Sequence, residues 1–266
     1  MIELSLNEAQ AARAIFAPLE HHTMIYALFE NNLKARLFVD NASQPTAGMI
    51  AYKNRYAFGG DPNQSAFHAD ILQHFAETEL PPRKGRAFLA SFTTDAWIPT
   101  LQNLFPDDEV IVAPRLYLEI TPEQITPPAL PDGFSLHAVT PELLGSNIGG
   151  MELLEEEIHS ERTSPEDFFA NGFGICPVYE NQIAGWCLSE YNTHDRCEVG
   201  IATLEPHQRK GIATTLTKIF LNEAAQRGIR HVGWKCWERN EASVATARKA
   251  GFSLVHREQA VIVIYK

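Results

Sequence analysis

The chain has 266 residues, of which 45% are hydrophobic and 21% are charged, and it carries a formal net charge of -11 at pH 7. This length and composition predict a sizeable core divided between two domains, and the acidic charge argues against a nucleic-acid partner. No apolar run approaches the ~20 residues that cross a bilayer, and the N-terminus lacks the basic and apolar segments of a signal peptide. We therefore expect no membrane contact and a cytoplasmic location.

The first 121 residues predict a smaller α+β domain. Helices are predicted over residues 7–17, with Asn7 as the N-cap, and over residues 66–77. The apolar face of the second helix consists of Phe67, Ile71, Leu72 and Phe75. Strands are predicted over residues 35–39, 47–52, 87–92 and 115–120, and the first two form a hairpin.

Two short motifs in this domain suggest other kinds of binding site. The pair His21-His22 suggests metal ligands, and Gly59-Gly60-Asp61 suggests a phosphate-binding loop. A loop pair and a β-turn are the preferred interpretations. We predict no metal.

A proline-rich stretch follows over residues 122–133. Its four prolines exclude a regular helix or a central strand. We interpret it as an extended linker at a domain boundary.

Residues 134–266 show a clearer order of elements. Helix starts are predicted at Thr140-Pro141 and Ser164-Pro165, where the hydroxyl residue is the N-cap. Further helices are predicted over residues 152–160, 212–227 and 241–250, with Gly172, Gly228 and Gly251 as helix ends. Strands are predicted over residues 134–139, 173–179, 183–191, 197–204, 231–237, 252–256 and 261–265. This order predicts an α/β fold (α+β with a mixed sheet) that has helices on both faces.

The most informative segment lies between the strand over residues 197–204 and the helix over residues 212–227. A polar loop, residues 205–210, ends at Gly211, and the helix begins at once. A strand, a tight glycine turn and a helix direct several free N–H groups and the positive end of the helix dipole at one spot. That geometry binds phosphate.

A second motif makes the first more specific. Gln208-Arg-Lys-Gly-Ile-Ala213 fits the pattern Gln/Arg-x-x-Gly-x-Gly/Ala, and Asn240-Glu-Ala-Ser-Val-Ala-Thr-Ala-Arg-Lys-Ala-Gly-Phe252 resembles Asn-x-x-Ala-x-x-x-Tyr-x-Lys-x-Gly-Phe. Together with the element order, they resemble the Gcn-five-related N-acetyltransferase (GNAT) superfamily over residues 132–266. The resemblance extends to a GNAT subgroup that has an extra N-terminal domain, and it is carried by Glu166-Asp-Phe-Phe, Gly172-Phe-Gly, Trp234-Lys-Cys-Trp and Ser243.

The resemblance implies an enzyme that moves an acetyl group from acetyl-CoA to a primary amine by direct attack. Its acceptor is a small-molecule or peptide amine, bound by residues 148–164 and by a final hairpin at residues 258–260. The implied coenzyme-binding residues are Ile201, Ala202, Thr203, Gln208, Arg209, Lys210, Gly211, Ile212, Ala213, Thr214 and Asn240.

The implied catalytic residues are less complete. Glu198 is the candidate base, with Glu190 at the end of the preceding strand as the alternative. The tyrosine of the family pattern is replaced by Ala247, which leaves Tyr191 or water as the acid, or no acid at all because a thiolate leaves readily.

Several alternatives stay open from the sequence. A non-catalytic acyl-CoA sensor fits the missing tyrosine, whereas a dinucleotide-binding oxidoreductase is disfavoured because Gly-x-Gly-x-x-Gly is absent. The order of elements in the N-terminal domain is compatible with a degenerate second copy of the same fold. The sequence is compatible with either a monomer or a homodimer. We interpret the four cysteines as buried, reduced thiols.

Overall fold

The computed structural model of the protein describes residues 1–78 and 85–266, which divide by their contacts into two compact units. Unit 1 comprises Met1–Arg115 together with Arg257–Lys266, and unit 2 comprises Leu116–His256. The units therefore do not follow the predicted division at residues 121 and 134, since the last residues of the chain belong to unit 1. The proline-rich residues 122–133 form no helix or strand, as predicted, but they lie inside unit 2.

The regular elements alternate along the whole chain. The strands are β1 (Ile2–Leu4), β2 (Arg36–Val39), β3 (Ala47–Tyr52), β4 (Arg55–Gly60), β5 (Ala87–Phe92), β6 (Glu109–Ile120), β7 (Phe134–Ala138), β8 (Gly174–Tyr179), β9 (Gln182–Ile183), β10 (Gly185–Glu190), β11 (Arg196–Thr203), β12 (His231–Trp237) and β13 (Ser253–Ile264). The helices are α1 (Arg13–Phe16), α2 (Thr23–Phe29), α3 (Ser65–Thr78), α4 (Trp97–Leu104), α5 (Pro141–Leu144), α6 (Met151–Glu161), α7 (Pro165–Asn171), α8 (Ile212–Gln226) and α9 (Glu241–Ala250). No helix among the described residues is long and apolar enough to cross a membrane.

Unit 1 is built on a sheet with the strand order β1-β2-β3-β4-β5-β13. Neighbouring strands are antiparallel, except that β4 and β5 are parallel and are connected through α3. The last strand of the chain thus completes the sheet of the first unit. Its aromatic core includes Phe58, Phe75, Phe88 and Trp97, all of them buried.

The predicted first helix is replaced by a more broken segment. A short 3₁₀ turn, α1 and a second 3₁₀ turn follow one another between Ala9 and Leu19. Asn7 is not the cap, because the N-cap position is Glu8, whose carboxylate accepts the backbone N–H of Ser5 at 2.9 Å. Pro18 has no N–H to continue an α-helical hydrogen-bond pattern, which accounts for the second break.

Other differences in unit 1 follow from packing. Leu72 is 42% exposed although Phe67, Ile71 and Phe75 are buried, since it lies about 100° around α3 from Ile71. The sequence analysis missed α2, α4, β1 and β4. Gly59 and Gly60 end β4 rather than form a β-turn.

The close approach of neighbouring backbone atoms explains why positions 59 and 60 are glycines. A Cβ on Gly59 would lie 2.8 Å from the carbonyl oxygen of Ile15, and one on Gly60 would lie 2.0 Å from that of Thr46. Gly60 also has a φ of +77°. These two glycines therefore allow the end of β4 to pack closely against the neighbouring backbone.

Unit 2 is a mixed sheet with helices on both faces, as predicted. The strand order is β6-β12-β11-β10-β8-β7, with β9 beside β8. Leu154, Ile158 and Phe168 of α6 and α7 pack with Trp186 on one face, and α8 and α9 pack on the other. On that second face the rings of Phe173 and Phe220 stack with centroids 4.8 Å apart.

The local signals in unit 2 are largely confirmed. The hydroxyls of Thr140 and Ser164 accept backbone N–H groups at 3.3 Å and start α5 and α7. One prediction is wrong: residues 253–264 form the single strand β13 and not two strands joined by a hairpin. The sequence Arg257-Glu-Gln-Ala contains no Gly, Pro, Asn or Asp, so nothing in it favours a turn.

Candidate functional site

The candidate site starts where β11 separates from one of its neighbours. The antiparallel register with β10 runs along β11 from Glu198 to Thr203. The parallel register with β12, within the described part of the chain, covers only Arg196 to Glu198. The segment around Ile201 and Ala202 therefore has one paired edge and one edge that is open to an extended ligand. Both residues are partly exposed.

The loop after β11 is held in a defined conformation. Glu205–His207 form one 3₁₀ turn, and the side-chain amide of Gln208 donates to the carbonyl oxygen of Thr203 at 3.0 Å. Arg209 and Gly211 both have positive φ, at 60° and 80°. A left-handed non-glycine residue costs about 1–3 kcal/mol, which points to a functional constraint on the loop.

The first turn of α8 faces the same loop. Its N-cap position is Gly211, which offers no side chain to accept an N–H. The N–H of Thr215 is the first to bond back to Gly211, at 3.1 Å. The preceding N–H groups, of Ile212, Ala213 and Thr214, have no acceptor within the helix pattern. The helix start can therefore bind an anion through its backbone.

Positive charge at the loop comes from Arg209 and Lys210, which are exposed. Burial, together with the charge of Lys210, lowers the pKa of His207 and so favours the neutral imidazole. Its ring packs against Phe134 and Tyr179 instead of pointing into solvent.

The two candidate bases lie side by side. Glu190 and Glu198 are paired in the β10–β11 register, so their side chains share one face of the sheet. The Glu190 carboxylate also covers Gly200, where a Cβ would lie 2.0 Å from Glu190 Oε1. Glu198 is 8% exposed. The structure thus places both candidate bases together, beside the point where β11 leaves β12.

The four cysteines are buried and free, which confirms the prediction. Burial raises the pKa of Cys176 to about 12 and that of Cys187 well above its usual range. Burial also raises the pKa of Cys197, and the charges of Glu198 and Glu190 add to that effect. The thiols of Cys176, Cys187 and Cys197 therefore stay protonated at neutral pH.

A buried polar cluster, which sequence reasoning missed, joins the end of α6 to the end of β10. The hydroxyl of Tyr191 donates to Glu161 Oε2 at 2.6 Å. Arg162 is 4% exposed and donates to the carbonyl oxygen of Ser189 at 3.3 Å and to the side-chain oxygen of Asn192. No local signal in the sequence marks Glu161 or Arg162, because only tertiary packing buries them.

Asn240 and Ala247 occupy the two motif positions on α9. The side-chain oxygen of Asn240 accepts the N–H of Ser243 at 3.1 Å, which makes Asn240 the N-cap. The hydroxyl of Ser243 accepts the indole N–H of Trp234 at 3.0 Å. Ala247 is fully buried in the core, so this position presents no donor to a ligand.

The Tyr191–Glu161 hydrogen bond makes a testable contribution to stability. We expect Tyr191→Phe to lower the free energy of unfolding by about 1–3 kcal/mol, because a buried carboxylate loses a donor. The measurement is the shift of the denaturant midpoint. The control is Tyr179→Phe. The ring of Tyr179 packs on Phe134, but its hydroxyl has no hydrogen bond in the described part of the chain. An unchanged midpoint for Tyr191→Phe would contradict the assignment.

Comparisons with known proteins agree with this geometry. A family model described as GNAT acetyltransferase matches residues 13–260. The uncharacterized N-acetyltransferase YdfB of Bacillus subtilis is 23% identical over 255 residues, which cover 95% of each chain. A GCN5-related N-acetyltransferase-like protein from Streptococcus suis has a TM-score of 0.73 at 16% identity, covering 97% of this chain and 98% of that one. A tandem GNAT protein from the clavulanic acid biosynthesis pathway has a TM-score of 0.61 at 11% identity, covering 98% and 97%. Because the family model matches most of the chain, this protein belongs to the GNAT acetyltransferase family and is an acyltransferase.

Proposed function

We propose that this acetyltransferase uses acetyl-CoA as the donor and a primary amine as the acceptor, which attacks directly. The observation that carries the proposal is the open edge of β11 next to the glycine loop. The two features together provide a strand edge for the pantetheine arm and a helix start for the diphosphate.

The residues present fit acetyl-CoA. A Cβ on Gly211 would meet no described atom within 4 Å, so the space before α8 is open. The hydroxyl of Thr203 is buried and has no hydrogen-bond partner in the described part of the chain, which leaves it available to a ligand. We assign coenzyme binding to the end of β11, to the glycine loop with the start of α8, and to the N-cap of α9. The residues are Ile201, Ala202, Thr203, Gln208, Arg209, Lys210, Gly211, Ile212, Ala213, Thr214 and Asn240.

When bound, acetyl-CoA supplies a thioester as the acyl donor. Glu198 accepts the proton that an ammonium group must lose before it can attack, since the pKa of a lysine-type amine is about 10.4. A backbone N–H near Ile201 donates to the thioester oxygen. The new bond would join the amine nitrogen to the acetyl carbon, the carbon–sulfur bond would break, and the thiolate would leave. The second proton of the attacking nitrogen would then pass to that thiolate or to solvent, which leaves a neutral amide.

Tyr191 is the weak candidate for an acid that protonates this thiolate. Its only hydroxyl proton is donated to Glu161, so it would first have to exchange that partner. A thiolate leaves without protonation more readily than an alkoxide does. We therefore favour a reaction without a dedicated phenolic acid.

We also propose that the N-terminal part is a degenerate GNAT-like half. In unit 1, β3 and β4 are antiparallel, β4 and β5 are parallel, and α3 connects the parallel pair. In unit 2, β10, β11, α8 and β12 repeat this arrangement. The whole-chain likeness to a protein described as a tandem GNAT supports the same proposal.

The equivalent loop of unit 1 is unsuited to coenzyme A. Asp61 gives it a negative charge, and the indole N–H of Trp97 donates to the carbonyl oxygen of Gly60 at 3.2 Å. The hydroxyl of Thr100 donates to the carbonyl oxygen of Pro62 at 3.1 Å. We therefore assign one coenzyme site to the chain, in unit 2.

The proposed reaction is tested by the release of free thiol from acetyl-CoA in the presence of a panel of small-molecule and peptide amines. We expect amine-dependent thiol release and a product heavier by one acetyl group, detected by mass spectrometry. Coenzyme binding without thiol release from any amine would instead support the non-catalytic acyl-CoA sensor.

Gly211→Glu tests the coenzyme site. The new side chain would enter the space before α8, so we expect the loss of the single CoA site in calorimetric titration. The matched control is Gly228→Glu at the other end of α8, because Gly228 also has a φ of +80° and a Cβ there also meets no described atom within 4 Å. If Gly211→Glu bound CoA with the affinity of the wild-type protein, the assigned site would be contradicted. If a second CoA site remained in that variant, the proposal that unit 1 is a degenerate half would be contradicted.

Glu198→Gln tests the base. We expect turnover to fall by about 10²-fold or more, while the Kd for CoA stays within a few-fold, because only proton transfer is lost. Glu190→Gln tests the alternative base, and Glu123→Gln, an exposed position in the proline-rich residues 122–133, is the control. Full turnover in Glu198→Gln with a loss in Glu190→Gln would move the role to Glu190. Full turnover in both would exclude both.

A further inference from the structure

Three side chains of unit 1, none of them assigned to the coenzyme, bring possible metal-ligand atoms close together. His21, His22 and Glu258 each direct a donor atom to one place, and these atoms lie within 4.8 Å of one another. The Nε2 atoms of His21 and His22 lie 3.1 Å and 2.9 Å from the same carboxylate oxygen, Oε2 of Glu258. The His22 Nε2 also lies 2.7 Å from Glu258 Oε1.

The surrounding structure holds these donors in place. His22 is the N-cap residue of α2, with an extended backbone, and the two imidazole rings meet edge to face with centroids 4.4 Å apart. Glu258 lies within β13. The side chains of His21, His22 and Glu258 are 14%, 4% and 18% exposed, so the cluster is mostly desolvated yet still reachable.

We propose that His21, His22 and Glu258 form a binding site for a divalent transition-metal ion, with Zn²⁺ as the best match. Two imidazoles and one carboxylate are a ligand set that zinc uses in proteins, and it leaves a fourth position for water. Magnesium and calcium are disfavoured because they prefer oxygen ligands.

The spacing of the donors fits such an ion. Bonds of about 2.0–2.1 Å in a tetrahedron place neighbouring ligand atoms about 3.3 Å apart. The three distances to the Glu258 oxygens, 2.7, 2.9 and 3.1 Å, are shorter than that by a few tenths of an ångström. All the donor atoms lie within 4.8 Å of one another, so we expect side-chain rotations to bring them to the ideal spacing when the ion binds.

This site revises the sequence prediction of no metal. Adjacent histidines alone give no third ligand, and Glu258 follows His22 by 236 positions. A bound ion would join the segment before α2 to the last strand of unit 1, and so would stabilise the unit in which both lie. The proposal is independent of the proposed acetyl transfer.

The test is a titration of the full-length, chelator-treated protein with Co²⁺, followed by competition with Zn²⁺. We expect one equivalent of Co²⁺ to give the absorption of a tetrahedral nitrogen–oxygen site, without thiolate charge-transfer bands that would indicate the cysteines. Zn²⁺ should displace it and raise the Tm.

Glu258→Gln removes the anionic ligand but keeps the size of the side chain. We expect it to weaken Zn²⁺ binding by at least about tenfold and to abolish the rise in Tm. The matched control is His194→Gln, because His194 is 74% exposed and lies outside the cluster. Circular dichroism checks that each variant folds, and His21→Gln provides a second loss of ligand at a more exposed position.

Two outcomes would overturn the proposal. One is a wild-type protein that binds neither ion, which would leave the cluster as a hydrogen-bonded group of two imidazoles and a carboxylate. The other is an unchanged Zn²⁺ affinity in folded Glu258→Gln and His21→Gln.

Discussion

The separation of β11 from β12 after Glu198 is the constraint on which the functional site depends. A strand inside a sheet normally uses both edges for hydrogen bonds, and a buried backbone group without a partner costs about 1–3 kcal/mol. Beyond Glu198, β11 keeps its partner β10, while its register with β12 has ended in the described structure. The open edge therefore has to be satisfied by water or by a ligand, and an extended amide-containing ligand is suited to it.

The same order of elements in unit 1 shows what happens without this separation. There the parallel register of β4 and β5 runs from Arg55 to Phe58, and the N–H of Thr93 continues it by donating to the carbonyl oxygen of Phe58 at 3.0 Å. The loop that follows is bonded to Trp97 and Thr100 of α4. In the described part of unit 1, the edge of β4 is thus paired with β5 up to Phe58, and the loop after it carries the acidic Asp61, whose carboxylate accepts the N–H of Asn63 at 2.9 Å. For these reasons we assign the chemistry to unit 2.

The sequence predicted those features that depend on local rules. The caps at Thr140 and Ser164 and the glycine turn at Gly211 follow from hydrogen bonding and steric effects within a few residues, and so does the strand–loop–helix order. The sequence could not predict the composition of the units, because β13 pairs with β5 over a separation that no local pattern reveals. For the same reason it missed the contact between Tyr191 and Glu161 and the convergence of Glu258 on the two histidines.

Gly200 shows how a residue without a side chain can arrange the chemistry. It lies two positions after Glu198 on the same face of β11, and the Glu190 carboxylate occupies the volume that a side chain at position 200 would fill. Any larger residue there would displace this carboxylate from its place beside Glu198. Glycine in this strand thus lowers local β-propensity but keeps two carboxylates close together. Both carboxylates lie at the point where β11 leaves β12, which is where the proposed reaction requires a base.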